Sequence, residues 1–238
     1  HRDLHSFPTR RSSDLHSKSE GIWGSSGKFA VSNAYFLSLG TYQQTSNSIW
    51  EKEINSFYGF ANIGYKDYLF LDLTARNDWS STLPSNNRSY FYPSVSLSGI
   101  VTQMLEKWGV NYNKNVFSYA KLRGSFAQVG KDTNPYQLRM TYDTSTGPYS
   151  LLYATVPTKL ANINLKPEIA TSYEVGTELK FFNNRIGLDF TYYNTVTKNQ
   201  VLDIPAVISL GYSSKIANVG KIRNQGVELM IPVSIIRN

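Results

Sequence analysis

The sequence contains no cysteine, which excludes a disulfide frame, a thiolate metal site and a cysteine nucleophile. Histidine is nearly absent: its three copies, His1, His5 and His16, all lie at the N-terminal end. The rest of the chain therefore lacks the commonest general base and metal ligand. No Gly-x-Ser-x-Gly elbow is present, and the carboxylates sit singly. Glu174 and Glu178 stand about 13 Å apart at ~3.3 Å per extended residue. A glycosidase pair needs ~5 to 9.5 Å. No enzyme, metal or cofactor is expected, although Glu168 and Asp203 find no role at this level. Charged residues make up only 17% of the chain, and the excess of Lys and Arg that gives +7 is scattered without a basic stripe. No nucleic-acid partner is expected. Nowhere do ~18 to 20 apolar residues run together, which excludes a membrane helix but not a spanning strand, whose signal is alternation.

What is abundant is aromatic: 17 Tyr, 12 Phe and 4 Trp in 238 residues. Tyrosine has an apolar ring and a polar tip, suited to a boundary between oil and water. Frequent Gly, Asn, Ser and Thr between apolar runs complete an all-β composition.

The runs have a period of two. Leu69, Leu71, Leu73 and Ala75 alternate with Phe70, Asp72, Thr74 and Arg76. Val95, Leu97 and Gly99 alternate with Ser94, Ser96 and Ser98. Further along, Ala120, Leu122, Gly124 and Phe126 alternate with Lys121, Arg123 and Ser125. Tyr173, Val175, Thr177 and Leu179 alternate with Glu174, Gly176, Glu178 and Lys180. Ile186, Leu188, Phe190 and Tyr192 alternate with Asp189 and Thr191, and Val227, Leu229 and Ile231 with Glu228 and Met230. Each strand is thus greasy on one face and polar on the other.

A soluble sandwich shares that division, and a soluble β-sandwich glycan-binding module is the alternative reading. Three features favour a transmembrane barrel. The runs approach the ~9 to 11 residues of a tilted spanning strand. Connections alternate between tight (Lys66-Asp67, Asn183-Asn184) and long (78–89, 130–169, 195–224), the asymmetry of periplasmic turns and extracellular loops. Residues 101–108, in the one longer link on the periplasmic side, are expected to form a short helical cap. Aromatics also gather at strand ends: Tyr65 and Tyr68, Phe181 and Phe182, Tyr90-Phe91-Tyr92, Tyr192-Tyr193. A Lys or Arg facing lipid costs ~2 to 4 kcal/mol at the midplane. The charged residues Asp72, Arg76, Lys121, Arg123, Glu174, Glu178, Lys180 and Asp189 are therefore expected to line the interior, with outer-membrane lipid against the other face. The loop aromatics Trp79, Tyr136, Tyr142, Tyr149, Tyr153 and Tyr212 are the candidate ligand contacts, as platforms for sugar rings.

Residues 1–20 have no period, few apolar side chains and no secretion-signal core. His1-Arg2-Asp3-Leu4 echoes a kinase catalytic loop, but Pro8 stands where that loop needs Asn. The segment reads as adaptor-like or disordered, separate from a partial barrel domain over 21–238.

Several stretches resemble the SusC/RagA family of TonB-dependent outer-membrane transporters. Ser56-Phe-Tyr-Gly-Phe-Ala-Asn-Ile-Gly-Tyr65 and Tyr68 to Ser81 resemble its paired strands ending in Arg-x-Asp-x-Ser-Ser. Tyr92-Pro-Ser-Val-Ser96 is similar to its Phe-Pro-Ser-x-Ser. Lys121 to Gly130, Asn164-Leu-Lys-Pro-Glu168, Tyr173-Glu-Val-Gly176, Tyr192-Tyr-Asn194 and Asn218 to Leu229 follow in the family's order. The resemblance covers Ser56 to Pro232 well and 21–55 poorly. It implies a plugged barrel of about 22 strands, importing oligosaccharides or peptides, powered by the TonB complex and capped by a SusD-like surface lipoprotein. The chain shows no signal peptide, TonB box or plug. About eight or nine strands are legible, so the expectation is an open, all-β, antiparallel section of a larger barrel, unable to transport alone.

Overall fold

The computed structural model describes residues 4–6, 8–28, 31–33, 35–40, 43–146 and 151–234. In chain order the strands are β1 (Leu4–Ser6), β2 (Thr9–Ser26), β3 (Gln43–Tyr65), β4 (Leu69–Ser80), β5 (Ser89–Ile100), β6 (Phe117–Lys131), β7 (Asp143–Thr146), β8 (Leu152–Thr155), β9 (Lys159–Leu160), β10 (Glu168–Phe181), β11 (Ile186–Pro205) and β12 (Ser214–Met230). One sheet runs β1-β3-β4-β5-β6-β10-β11-β12-β9, with β2 also on β3, while β7 and β8 form a separate hairpin. Pairing is antiparallel throughout, apart from the short parallel contact of β9 with β12. Among the described residues the sheet stays open.

Hydrogen-bond register turns the alternation of single strands into a property of the whole wall. Ile63 lies opposite Leu71, Leu71 opposite Leu97, and Leu97 opposite Gly124. The row continues through Val175, Tyr192 and Val227. A second row runs Tyr65, Leu69, Gly99, Leu122, Thr177, Phe190, Leu229. A slip of one residue would bring polar or charged side chains into these rows. Apart from Gly99, which is buried against Met104, the rows are largely uncovered: Leu97 is 49% exposed, Val175 63% and Leu229 59%. The sandwich alternative required a second layer on this face, and none is present among the described residues. An apolar surface running across seven strands far exceeds the few hundred Å² that soluble proteins leave open, so the face is built for lipid.

Tight turns close one end of the wall. Lys66 and Asp67 both have positive φ, and Tyr68 N–H donates to Tyr65 O. This is the type I′ geometry whose twist matches antiparallel strands. A second turn has three residues at positive φ in a row, Phe182, Asn183 and Asn184, with Arg185 N–H donating to Phe182 O. At the same end α1 (Val101–Lys107) forms where a helical cap was expected. It is tied down by the buried Thr102, whose Oγ1 accepts from Ala120 N–H. Aromatic contacts line this rim: Tyr65 with Tyr68 at 5.8 Å, and Tyr112, Phe117 and Phe181 in a chain.

The other end departs from the sequence reading in three ways. The stretch 195–224, expected as a loop, is largely a continuation of β11 and β12, with its tip at 206–213. Beyond the bilayer both faces are wet, so side chains lose their period while backbone pairing continues. A register shift between Lys198 and Val201, with Asn199 at positive φ, marks the place. Aromatic runs also split: Tyr90 and Tyr92 point to the polar side and Phe91 outward, because neighbours on a strand face opposite ways. Thirdly, residues 9–20, expected to lack regular structure, pair along β3 as part of β2. The free edge of β3 bonds to backbone, whatever its side chains. Accordingly β2 lacks the two-face pattern: Arg10 lies opposite Gly59 and Asp14 opposite Asn55, on the aliphatic side.

Replacing Leu71 by Arg in the full-length receptor is expected to cost about 2 to 4 kcal/mol of folding stability in a bilayer. The same change at Ser96, on the opposite face, is expected to cost far less. Equilibrium folding into lipid vesicles measures both.

Candidate functional site

The polar face carries its own rows. Asn62, Asp72, Ser96, Ser125, Glu174, Tyr193 and Gly226 lie in register. All eight charged residues expected on the interior share this face with them. Arg123 is the most engaged. Its guanidinium reaches Asp189 Oδ1 at 2.9 Å and Thr191 Oγ1 at 2.6 Å, with Glu174 at 3.9 Å. Arg123 stands on β6 and Asp189 on β11, so the side chain crosses the whole of β10. It does so over Gly176, where a Cβ would lie 2.6 Å from Arg123 Nε. Glycine in a strand here means close approach. Lys180 pairs with Glu178 at 2.9 Å and lies 5.0 Å from the Tyr119 ring. Lys121 stands opposite Glu178 in the ladder, and Asp72 accepts a hydrogen bond from Asn62 Nδ2. Charges of both signs are thereby neutralised across strands. They leave a polar hollow of about 420 Å³ over Arg123, Glu174, Tyr193 and Glu228.

Toward the long loops the polar face becomes a fixed network. Arg76 Nε donates to Asp78 Oδ1 at 2.7 Å, Arg76 Nη2 to Ser56 at 3.0 Å, and Tyr92 Oη to Asp78 Oδ2 at 2.6 Å. Asp78 and Ser56 are buried. One step higher, Asp132 receives Lys52 Nζ at 2.6 Å and the hydroxyls of Ser80 and Thr82. The Arg-x-Asp-x-Ser-Ser segment is thus a clamp: its inward residues hold the rim, and Ser81 exchanges hydrogen bonds with the Glu53 backbone.

The long 132–167 connection is pinned at its far end as well. Leu165 is wholly buried with Leu83, Tyr90 and Ile216. Asn218 Nδ2 donates to Lys166 O and Asn199 O, both at 2.8 Å, while its Oδ1 accepts from Lys166 N–H at 2.9 Å. Glu168 Oε1 accepts from Val201 N–H at 2.9 Å, and Asp203 pairs with Lys159 at 2.8 Å. The two carboxylates left without a role by the sequence therefore secure the loop. Sequence matching singled out the Asn164–Glu168 and Asn218 segments but not their mutual contact, since 52 residues separate Asn218 from Lys166.

The loop aromatics do not converge. Tyr136, at positive φ and 64% exposed, projects from a loop whose neighbours Pro135 and Leu138 are packed. It lines an open pocket of about 630 Å³ with Glu51, Lys52, Thr82 and Arg139. Tyr142 and Tyr153 lie exposed beside and on the β7–β8 hairpin, and Tyr212 lies half-buried at the β11–β12 tip. Trp79 is on β4 rather than in a loop, opposite Asn55 and Ser89 on the aliphatic side. Tyr149 falls outside the described residues.

Replacing Asn218 by Ala strands a backbone N–H and two carbonyls. It is expected to cost about 1 to 3 kcal/mol and to speed proteolytic nicking within 132–167 of the full-length receptor. A double-mutant cycle on Arg123 and Asp189 is expected to show coupling of about 1 kcal/mol, lost when Gly176 is changed to Val.

Comparison with known proteins fits this geometry. The family model described as "TonB dependent receptor-like, beta-barrel" matches residues 6–234. TonB-dependent receptor P26 of Formosa agariphila is 29% identical over 188 residues, covering 78% of this chain and 19% of that protein. TonB-dependent receptor SusC of Bacteroides thetaiotaomicron is 25% identical over 186 residues, covering 74% of this chain and 18% of SusC. The solved RagAB peptide transporter superposes with a TM-score of 0.87 at 23% identity, covering all of this chain and 26% of the matched chain. This chain thus spans about a fifth of the curated relatives' length. The family consists of receptors and transporters rather than enzymes. The matched length, the uncovered aliphatic rows and the shared motifs agree: the chain belongs to the TonB-dependent receptor β-barrel family, as a SusC-like section of an outer-membrane barrel wall.

Proposed function

We propose that this chain forms part of the lumen wall of an importer of oligosaccharides or peptides. In this reading a SusD-like surface lipoprotein delivers cargo and the TonB complex supplies energy. The observation that carries it is the register: seven strands hold lipid-facing and polar rows apart along their whole spanning length. Asp72, Arg76, Lys121, Arg123, Glu174, Glu178, Lys180 and Asp189 then line the lumen, where mutual pairing keeps the wall polar without strong net charge. An open sheet encloses no lumen, so transport belongs to the longer barrel.

Of the candidate contacts, Tyr136 is best placed, on a pinned loop beside the rim pocket; Tyr142, Tyr153 and Tyr212 stand further out. Trp79, on the outward side, is better suited to the membrane boundary. A peptide cargo is supported by the likeness to a peptide transporter. An oligosaccharide is supported by the motif resemblance to the SusC/RagA family and by the exposed rings of Tyr136, Tyr142 and Tyr153.

The test is calorimetric binding of oligosaccharide and peptide pools to the full-length receptor, paired with uptake in cells with and without TonB. Tyr136→Ala is expected to weaken binding roughly two- to tenfold, the equivalent of about 0.5 to 1.5 kcal/mol for an aromatic contact. TonB deletion is expected to abolish uptake. Uptake independent of TonB contradicts the proposal.

A further inference from the structure

Across β4, β5, β6, β10, β11 and β12 the outward face carries little charge, unlike β2, where Arg10 and Asp14 lie on that side. On β4, β5, β6 and β10 every outward position is uncharged. On β11 and β12, up to the register shift after Lys198, three charged residues face outward: Lys198, Lys221 and Arg223. All three are cations, all are exposed, and among the described residues none has an ion-pair partner. Lys198 lies directly opposite Lys221, and Arg223 lies opposite Val196, one outward position below. Like charges set opposite each other in a ladder are destabilising. No outward carboxylate on β10, β11 or β12 offsets them.

Their height is informative. Outward positions on β11 run Ile186, Leu188, Phe190, Tyr192, Asn194, Val196 and Lys198, starting at the tight turn. At ~3.3 Å per residue and a tilt of about 40°, Ile186 to Val196 spans roughly 25 Å of bilayer, the height of a barrel's apolar band. Arg223 therefore sits at the outer boundary of the hydrocarbon and the lysine pair just beyond it. That is the level of lipid headgroups. The polar outward side chains Gln225 and Gln128 lie near the same boundary.

We propose that Lys198, Lys221 and Arg223 form a binding site for the phosphate-bearing headgroup of an outer-leaflet lipid. The anion relieves the repulsion between the facing lysines. The acyl chains of the same molecule lie on Val227, Leu229, Phe190 and Tyr192 directly below. A free phosphate satisfies the first condition but not the second, so the surface fits a lipid. The site is independent of the imported substrate.

The experiment uses the full-length receptor in vesicles of phosphatidylcholine alone and of equimolar phosphatidylcholine and phosphatidylglycerol, with co-purifying lipid read by native mass spectrometry. The wild type is expected to retain phosphatidylglycerol preferentially. Each neutralisation among Lys198→Gln, Lys221→Gln and Arg223→Gln is expected to lower that preference roughly fivefold. The charge-conserving variant Lys198→Arg, Lys221→Arg, Arg223→Lys keeps it, as does the inward control Lys121→Gln. Undiminished preference in the neutralised triple variant overturns the proposal. So does an equal loss in the inward control, or displacement of the lipid by inorganic phosphate alone.

Discussion

Everything in this wall depends on backbone register. The ladder hydrogen bonds are blind to side chains, yet a shift of one residue would exchange the two faces of a strand. Seven strands hold a common register, so Leu71, Leu97, Val175 and Val227 meet in one row while Asp72, Glu174 and their neighbours meet in the next. Lipid supplies the selection. An inward slip of aliphatic residues is tolerable, but charges in hydrocarbon are not. The tight turns at Lys66-Asp67 and at 182–184 start two of the hairpins in phase.

On the polar side, the same register decides which side chains can reach one another. Arg123 meets Thr191 and Asp189 because Gly176, opposite Arg123 in the ladder, leaves room for the guanidinium to cross β10. Gly130 works similarly at the rim, where any side chain would strike the Tyr90 ring, itself stacked on Tyr92 at 6.1 Å. Above the bilayer, where neither face is dry, order passes from pattern to individual clamps. Asp132 gathers Lys52, Ser80 and Thr82, and Asn218 imitates a strand partner for Lys166. Both ends of the 132–167 loop are held, and the β7–β8 hairpin is left presented outward.

This division explains what could be read from sequence. Between Ser56 and Val233 the spanning strands were legible, because a membrane imposes a period of two that no other constraint overrides there. The faces of Asp72, Arg123 and Glu178 followed from that period alone. The strand extensions over 195–224 were not legible, since water on both sides removes the period but not the pairing. The pairing of 9–20 was missed for the same reason: a free edge accepts backbone without asking for a pattern. The roles of Asn218, Glu168 and Asp203 lay in contacts across long stretches of chain, which no local spacing reveals. Tyr90-Phe91-Tyr92, grouped in the sequence as aromatics at one strand end, does not share one face. Applied residue by residue, the same period divides it.

The two-face assignment is tested most directly by single cysteines placed in turn at residues 69–76 and 173–180 of the full-length receptor in lipid vesicles. Each would carry a spin label, read with a lipid-soluble and a water-soluble relaxant. The account predicts alternation: odd positions respond to the lipid-soluble relaxant and even positions to the water-soluble one, in both strands. A uniform response along either strand, or an alternation with the opposite phase in one of them, would contradict it.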